Sequence, residues 1–181
     1  MKKLLGSTSL ICALLALAST SPVRAESSAP TKAICVVVPT EGNKCHGTVN
    51  FDTADDGKVV VTAEITGLVP NQMHAIHVHE FGDISDLSGK SAGGHYNPEG
   101  KPHGLPPSDD RHAGDLGNLK ADADGNAELE LVVDNFSVAG KDAIIGRAIV
   151  VHALPDDGGQ PTGNAGARIG FGVIGIAKPA E

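Results

Sequence analysis

The sequence predicts an all-β domain, either a barrel or a sandwich, from three observations. Eight short runs rich in Val, Ile and Thr are separated by turn residues. Several runs alternate apolar and polar side chains, as in residues 127–131 (Ala-Glu-Leu-Glu-Leu), which is the period of a strand with one buried and one solvent-facing side. The 23 glycines and 11 prolines suit a chain with many turns, and no run of ten or more residues has a helical apolar period.

The N-terminal residues have the layout of a secretory signal peptide. Lys2 and Lys3 form a basic start, an apolar stretch follows at 10–18, and residues 23–25 (Val-Arg-Ala) offer a small-residue cleavage site. The apolar stretch is too short to span a bilayer. We therefore predict a signal peptide over 1–25 and export of the protein to the periplasm or the extracellular space.

The net charge and the aromatic content argue against nucleic acid and membranes as partners. A flexible, polar leader is predicted over 26–31 and one domain over 32–181. Loss of the signal peptide removes three basic residues and no acidic one, which moves the net charge from −8 to −11. Such a surface repels nucleic acid and anionic membranes, and one Tyr, four Phe and no Trp leave few rings for stacking on bases. We expect no nucleic-acid partner, and no membrane association after signal cleavage.

The strands are predicted from the runs and from the turn signals between them. Asp56-Gly57 and Asp124-Gly125 are hairpin-turn dipeptides. Two stretches without strand pattern, 81–111 and 153–166, are longer than most loops of a compact domain, and loops of this length usually carry function. The predicted strands cover 32–38, 45–52, 58–66, 73–80, 112–119, 126–133, 145–152 and 167–176.

The histidines are concentrated around the first long loop. His77 and His79 end a predicted strand, and alternate residues of a strand point to the same face, so both imidazoles can reach one ion. Imidazole suits copper and zinc, and a carboxylate within a mostly imidazole set suits zinc. The alternative is that these are solvated loop histidines. The remaining candidates are His95 and His103 in the loop, His112 and Asp115 after it, and His152 at the end of a later strand.

Five ordered motifs resemble the Cu/Zn superoxide dismutase family, and the similarity covers essentially all of residues 31–177. They are residues 74–83 (HAIHVHEFGD), 91–98 (SAGGHYNP), 111–118 (RHAGDLGN), 146–152 (GRAIVVH) and 163–177 (GNAGARIGFGVIGIA). The resemblance implies that residues 32–181 form an eight-stranded antiparallel Greek-key β-barrel or sandwich, immunoglobulin-like, with two long functional loops.

The resemblance also implies a copper site and a zinc site joined by one histidine. Copper would be bound by His77, His79, His95 and His152, and zinc by His95, His103, His112 and Asp115. His95 would bridge the two ions and take part in catalysis together with Arg168, whose guanidinium can attract and orient a small anion beside the copper. Asp156 would link a copper-ligand histidine to a zinc-ligand histidine. His74 would support the neighbouring loop, and His46 matches no ligand position.

The implied activity is disproportionation of superoxide to dioxygen and hydrogen peroxide by a homodimer. The segment 172–177 resembles the apolar dimer contact of family members. We expect attraction of the anion to depend mainly on Arg168, because residues 153–166 contain no Lys or Arg. The alternative function is a catalytically inactive copper-binding or copper-delivery protein of the same fold. A hydrolytic zinc enzyme is disfavoured, because four protein ligands leave no open position on the zinc.

The sequence departs from the family at the intrasubunit disulfide. Gly89 and Phe171 occupy the positions where the two cysteines are expected. We hypothesise that Phe171 packs against the loop at Gly89 and partly replaces the bridge. For Cys35 and Cys45, we favour two free thiols over a new disulfide.

Overall fold

The structure is a computed structural model that describes residues 29–178. The predicted signal peptide and residues 26–28 of the predicted leader lie outside the described residues. The prediction of an all-β chain is confirmed. The first and last residues of each predicted run lie within three residues of the bounds of the observed strand. Within the described range, no helix has the length and hydrophobicity needed to cross a bilayer. The strands are β1 (Lys32–Pro39), β2 (His46–Thr53), β3 (Val59–Thr66), β4 (Met73–His79), β5 (Asp115–Lys120), β6 (Ala127–Val133), β7 (Ala148–His152) and β8 (Arg168–Ile176), with a 3₁₀ turn at Lys90–Ala92.

The strands form one antiparallel sheet that is nearly closed into a barrel. Its order is β5-β4-β7-β8-β1-β2-β3-β6. The edge strands β5 and β6 contact each other. The consecutive strands β3 and β4 are far apart in this order, so the connection between them crosses the barrel end, as in a Greek key.

The barrel interior is filled by alternate side chains of each strand. In β3, Val59, Val61, Ala63 and Ile65 are at most 1% exposed, and the residues between them are partly or fully exposed. Phe51 of β2 is fully buried in the same core. This alternation confirms the pattern that the sequence predicted for half-buried strands.

Strands β4 and β7 differ, because nearly all of their side chains are buried on both faces. One face points into the barrel. The other is covered by the long connections 80–114 and 153–167, which follow β4 and β7 respectively. The fold therefore creates a second buried layer outside the barrel, and the predicted site residues lie in this layer.

The strand register explains why distant residues meet in that layer. His77 of β4 is opposite Asp115 of β5, and His152 of β7 is opposite Arg168 of β8. A register shift adjoins each pair, between Ala75 and His77 and at the end of β7. Such bulges redirect side chains and are frequent beside functional sites.

Phe171 packs beneath the first long loop, in one cluster with Ala92. Its side chain is 1% exposed and forms an apolar cluster with Ala92, Ala148 and Val150. Ala92 belongs to the 3₁₀ turn of the loop, so the hypothesis of an apolar attachment holds in this altered form. The nearest atoms to a β-carbon built on Gly89 belong to Arg168 and Thr40.

The two cysteines of the described chain are free thiols, as expected. Cys35 and Cys45 are both fully buried in the barrel core. Burial raises the pKa of each thiol to about 12, because a thiolate in this apolar surrounding would lose its hydration. Both therefore behave as small apolar core residues.

Candidate metal centre

The first cluster of the outer layer consists of four buried imidazoles. His77 and His79 come from β4, His95 from the first long loop and His152 from the end of β7. Each ring offers one nitrogen to a group whose members all lie within 4.8 Å of one another. The loop histidine is held against β4 by a backbone bridge between His79 and His95. Three separated segments thus converge on a space the size of one ion.

Hydrogen bonds to the other ring nitrogen fix the tautomer of three of these imidazoles. His77 Nε2 donates to Asp156 Oδ2 at 2.8 Å. His79 Nδ1 donates to the Gly93 carbonyl at 3.0 Å, and His152 Nδ1 lies 3.4 Å from a backbone carbonyl in the second loop. Since a carbonyl or carboxylate oxygen can only accept, the proton lies on these atoms. The opposite nitrogens are left with free lone pairs.

Those opposite nitrogens have no partner within the described residues. His77 Nδ1, His79 Nε2 and His152 Nε2 are all buried and make no hydrogen bond. A buried polar atom without a partner costs free energy, so three of them facing one space require an explanation. A bound cation with imidazole preference, such as copper, supplies it.

The second cluster contains three imidazoles and one carboxylate. Asp115 Oδ1 lies 2.8 Å from His95 Nδ1 and 3.2 Å from His112 Nδ1. The two histidine nitrogens are 3.3 Å apart. His103 Nδ1 lies 3.0 Å from Asp115 Oδ2 but forms no hydrogen bond with it. All four residues are buried.

These spacings fit a tetrahedral zinc ion. Zinc–nitrogen bonds of about 2.0–2.1 Å place neighbouring ligand atoms of a tetrahedron about 3.3 Å apart. The three Nδ1 atoms and the carboxylate also have the chemistry that structural zinc prefers. Because His95 Nδ1 belongs to this cluster, His95 Nε2 is the nitrogen it offers to the first one. One imidazole is therefore common to both groups.

Asp156 links the two clusters from behind. Its Oδ2 accepts from His77 Nε2, and its Oδ1 accepts from His103 Nε2 at 2.9 Å. Asn118, on β5, holds this aspartate in place: its side chain accepts from Asp156 N at 2.7 Å and donates to Asp156 O at 2.9 Å. A carboxylate that accepts from a ligand imidazole fixes the tautomer and strengthens the ligand.

Burial and hydrogen bonding shift the pKa values of the site residues toward the protonation states that bind cations. Burial lowers the pKa of His77 to about 4 and that of His152 to about 3, and it lowers the pKa of His79 well below its usual value. Burial acts to raise the pKa of Asp115 and Asp156, but hydrogen bonds from histidines and backbone amides outweigh it, so both pKa values are lowered. At neutral pH these imidazoles are uncharged and these carboxylates ionised, which is the state that metals bind.

Arg168 forms part of a small cleft that opens onto the first cluster. Its Nη2 donates to the Gly93 carbonyl at 2.6 Å, the oxygen that also accepts from His79, and its Nη1 donates to the Gly89 carbonyl at 2.5 Å. The guanidinium is thus fixed relative to His79. The cleft has a volume of about 330 Å³ and is lined by His79, Gly94, His95, His152, Thr162, Asn164, Ala165, Gly166 and Arg168.

Arg168 is the only cation among the residues lining that cleft, and all of those residues belong to the described chain. A second cleft shares Arg168 and Gly166 with it and is lined by Lys90 as well. Lys90 therefore lies near enough to add to the positive potential, although Glu41 lines the same second cleft. Our expectation that attraction depends mainly on Arg168 remains a prediction.

The two remaining histidines lie outside both clusters. His74 is fully buried; its Nε2 accepts from Val69 N at 3.3 Å, and its Nδ1 donates to the His152 carbonyl at 2.9 Å. It therefore supports the backbone of a site residue. His46 is exposed and contacts Lys44 and Thr66 through its ring nitrogens.

Apart from Asp156, which the resemblance indicated, the sequence did not point to the groups that hold the ligands in place. Asn118 was visible only as part of a motif. The carbonyl groups of Gly93 and Gly166 are backbone atoms, so the residue type does not reveal their role. The side chain of Gln160 hydrogen-bonds to the backbone of His103, and its position matches no metal-ligand motif. A search for polar residues close in sequence to Asp115 could have found Asn118.

Comparison with known proteins agrees with this geometry. A solved structure described as that of the clock protein EA4 is 44% identical to this chain; the match covers 82% of this chain and 96% of that one, with a TM-score of 0.74. A family model described as copper/zinc superoxide dismutase (SODC) matches residues 45–174. Family members bind copper and zinc, which fits both donor sets. The chain belongs to the Cu/Zn superoxide dismutase family.

Proposed function

We propose that this protein disproportionates superoxide: two superoxide anions and two protons give one dioxygen and one hydrogen peroxide. The observation that carries the proposal is the shared imidazole of His95, which joins an all-histidine donor set to a histidine–aspartate set. Family membership alone is not sufficient support, because a similar chain is described as a clock protein. The proposal therefore depends on the residues of the site.

The two donor sets differ in the chemistry they suit. His77, His79, His95 and His152 would hold copper, and His95, His103, His112 and Asp115 would hold zinc. When bound, copper supplies one-electron oxidation and reduction, and zinc supplies a fixed positive charge without redox chemistry. Four protein ligands around the zinc position leave no place for a hydrolytic water.

The protein's own residues bind and orient the substrate. Arg168 is held by two carbonyls with its charge beside the imidazole of His79, so a small anion in the cleft meets a fixed guanidinium. Fixed charges of this kind need no reorganisation during the reaction. The cleft is polar and carries the cationic side chain of Arg168, which suits an anionic substrate.

His95 also provides a position for a proton. Its Nδ1 stays with the zinc-side group, next to Asp115 Oδ1, while its Nε2 faces the other cluster beside the cleft. A proton held at His95 Nε2 would be within reach of a reduced substrate in the cleft.

The proposal is tested on protein reconstituted with copper and zinc, with zinc alone, and with neither ion. We expect disproportionation only in the sample that contains copper, together with about one copper and one zinc per chain. Binding of both ions without activity would instead support the alternative, a copper-binding or copper-delivery protein. Failure to bind either ion would reject both functions.

We also propose that the protein acts as a homodimer. Val36 of β1 and Val173 and Ile176 of β8 are 59%, 37% and 65% exposed on adjacent strands. Gly82 lies against Val173, since a β-carbon built on Gly82 would be 3.0 Å from it, and Phe81, the preceding residue, is 57% exposed. An apolar patch of this kind on a soluble protein favours a protein interface.

Val173→Glu is expected to convert the dimer to a monomer, since it would bury two carboxylates in a symmetric interface. Sedimentation velocity measures the change. Val132→Glu is the control, because Val132 is 54% exposed but lies on β6, away from this patch. A wild-type protein that sediments as a monomer at all concentrations would refute the dimer.

The N-terminal segment supports a further proposal, that the protein is exported with cleavage after Ala25 and acts in the periplasm or outside the cell.

A further inference from the structure

The side chain of Gln160 joins the two long loops. It lies in the second loop, between β7 and β8, and its amide pairs with the backbone of His103 in the first loop. His103 N donates to Gln160 Oε1 at 3.1 Å, and Gln160 Nε2 donates to the His103 carbonyl at 2.7 Å. This reciprocal pair satisfies both backbone groups of His103, as a neighbouring strand would.

His103 needs such a partner because its segment has no regular structure. Residues 99–105 form neither strand nor helix. The imidazole of His103 is directed by Asp156, which accepts from its Nε2, and the backbone is directed by Gln160. Both of these partners come from the second loop. That loop therefore fixes His103 at two points, the ring and the main chain.

The same loop also lines the cleft at the first cluster. Thr162 and Asn164, two and four residues after Gln160, are among the cleft residues. Between them, Gly163 packs against Asp156: a β-carbon built on Gly163 would lie 2.1 Å from Asp156 Oδ1 and 2.8 Å from His103 Nε2. The cleft wall and the zinc-side histidine are thus parts of one contact network.

We propose that Gln160 is a positioning residue that couples His103 to the loop forming the cleft wall. The inference rests on the proposed function, because it assumes that His103 is a zinc ligand. A zinc ion held by His103 would fix the backbone of residue 103, and through it Gln160 and the residues that follow. Conversely, Gln160 holds His103 ready for zinc. Gln160 itself is exposed, so it acts through its two hydrogen bonds and not through burial in the core.

The test compares Gln160→Ala and Gln160→Glu with the matched control Gln72→Ala, an exposed glutamine in the turn before β4. Zinc affinity is measured on the full-length mature protein by competition with a chromophoric chelator. Gln160→Ala is expected to weaken zinc binding about tenfold, the lower end of what loss of an outer hydrogen-bond partner costs. Gln160→Glu keeps the acceptor for His103 N but loses the donor. Its zinc affinity is therefore expected to lie between those of the wild type and Gln160→Ala. Gln72→Ala should match the wild type.

A second measurement separates positioning from a merely structural role. Co²⁺ placed in the zinc site absorbs visible light with an intensity and band position that report the ligand geometry. Gln160→Ala is expected to shift this spectrum, and Gln72→Ala is not. Unchanged affinity and spectrum in Gln160→Ala, with a zinc-binding wild type, would overturn the inference and leave the proposed function intact. A wild type that binds no zinc would overturn both. If Gln160→Ala fails to fold, the affinity and spectrum of Gln160→Glu decide.

Discussion

His152→Ala is expected to abolish superoxide disproportionation and to weaken copper binding by more than about 100-fold, while zinc binding is retained. Loss of a mere hydrogen-bond partner of a ligand costs about 10–100-fold in affinity, and loss of a ligand costs more. His152 Nε2 is one of the buried atoms without a partner, and it belongs to the first cluster only. The second cluster shares just His95 with the first, so its donor set stays complete.

The measurements are metal content after dialysis against both ions, and the second-order rate constant with superoxide. His46→Ala is the control, because this histidine is exposed and belongs to neither cluster. It should keep wild-type metal content and activity. Full activity in His152→Ala would show that the first cluster is not the copper site.

Asp156→Asn is expected to lower affinity for at least one of the two ions by about 10–100-fold. The carboxylate accepts from His77 Nε2 and from His103 Nε2 at the same time. An asparagine of the same size has one oxygen that accepts and one amide that only donates. One imidazole must therefore lose its bond or move its proton to Nδ1, which is the atom it offers to the metal.

Zinc and copper affinities of Asp156→Asn are measured by competition titration, together with the visible spectrum of the copper-loaded protein. Asp157→Asn is the matched control: it makes the same change at the next residue, whose exposed carboxylate accepts, within residues 29–178, only from Gly159 and Asn164. Equal affinities in the two variants would mean that Asp156 does not set the tautomers of His77 and His103.

The strands were predictable because each has a local apolar pattern in the sequence. The predicted and observed strand bounds differ where a turn occupies the first residues of a predicted run. The run 112–119 becomes strand only at Asp115, because the Asp115 side chain accepts from His112 N and closes a turn first. The run 145–152 begins pairing at Ala148, after a turn in which Gly146 has φ 85°. The 3₁₀ turn at Lys90–Ala92 was not predicted, since three residues are too few for a periodic pattern.

The site was predictable as a set of residues and not as a geometry. The spacing of His77 and His79 on a strand predicted that they share a face, and motif resemblance placed the other ligands. The pairing of Asp115 with His77, and of Arg168 with His152, depends on strand register and bulges that involve residues far apart in the chain. The carbonyls that fix the tautomers are backbone atoms, which every residue type carries, so no sequence pattern marks them.

The attachment of the first long loop uses no sulfur chemistry. Within residues 29–178 the loop is held by the guanidinium of Arg168 on two carbonyls and by the ring of Phe171 under Ala92. Neither contact responds to glutathione or to an oxidase, and the two thiols of this range are sealed in the barrel. Formation of this loop attachment therefore does not require the oxidation of a thiol.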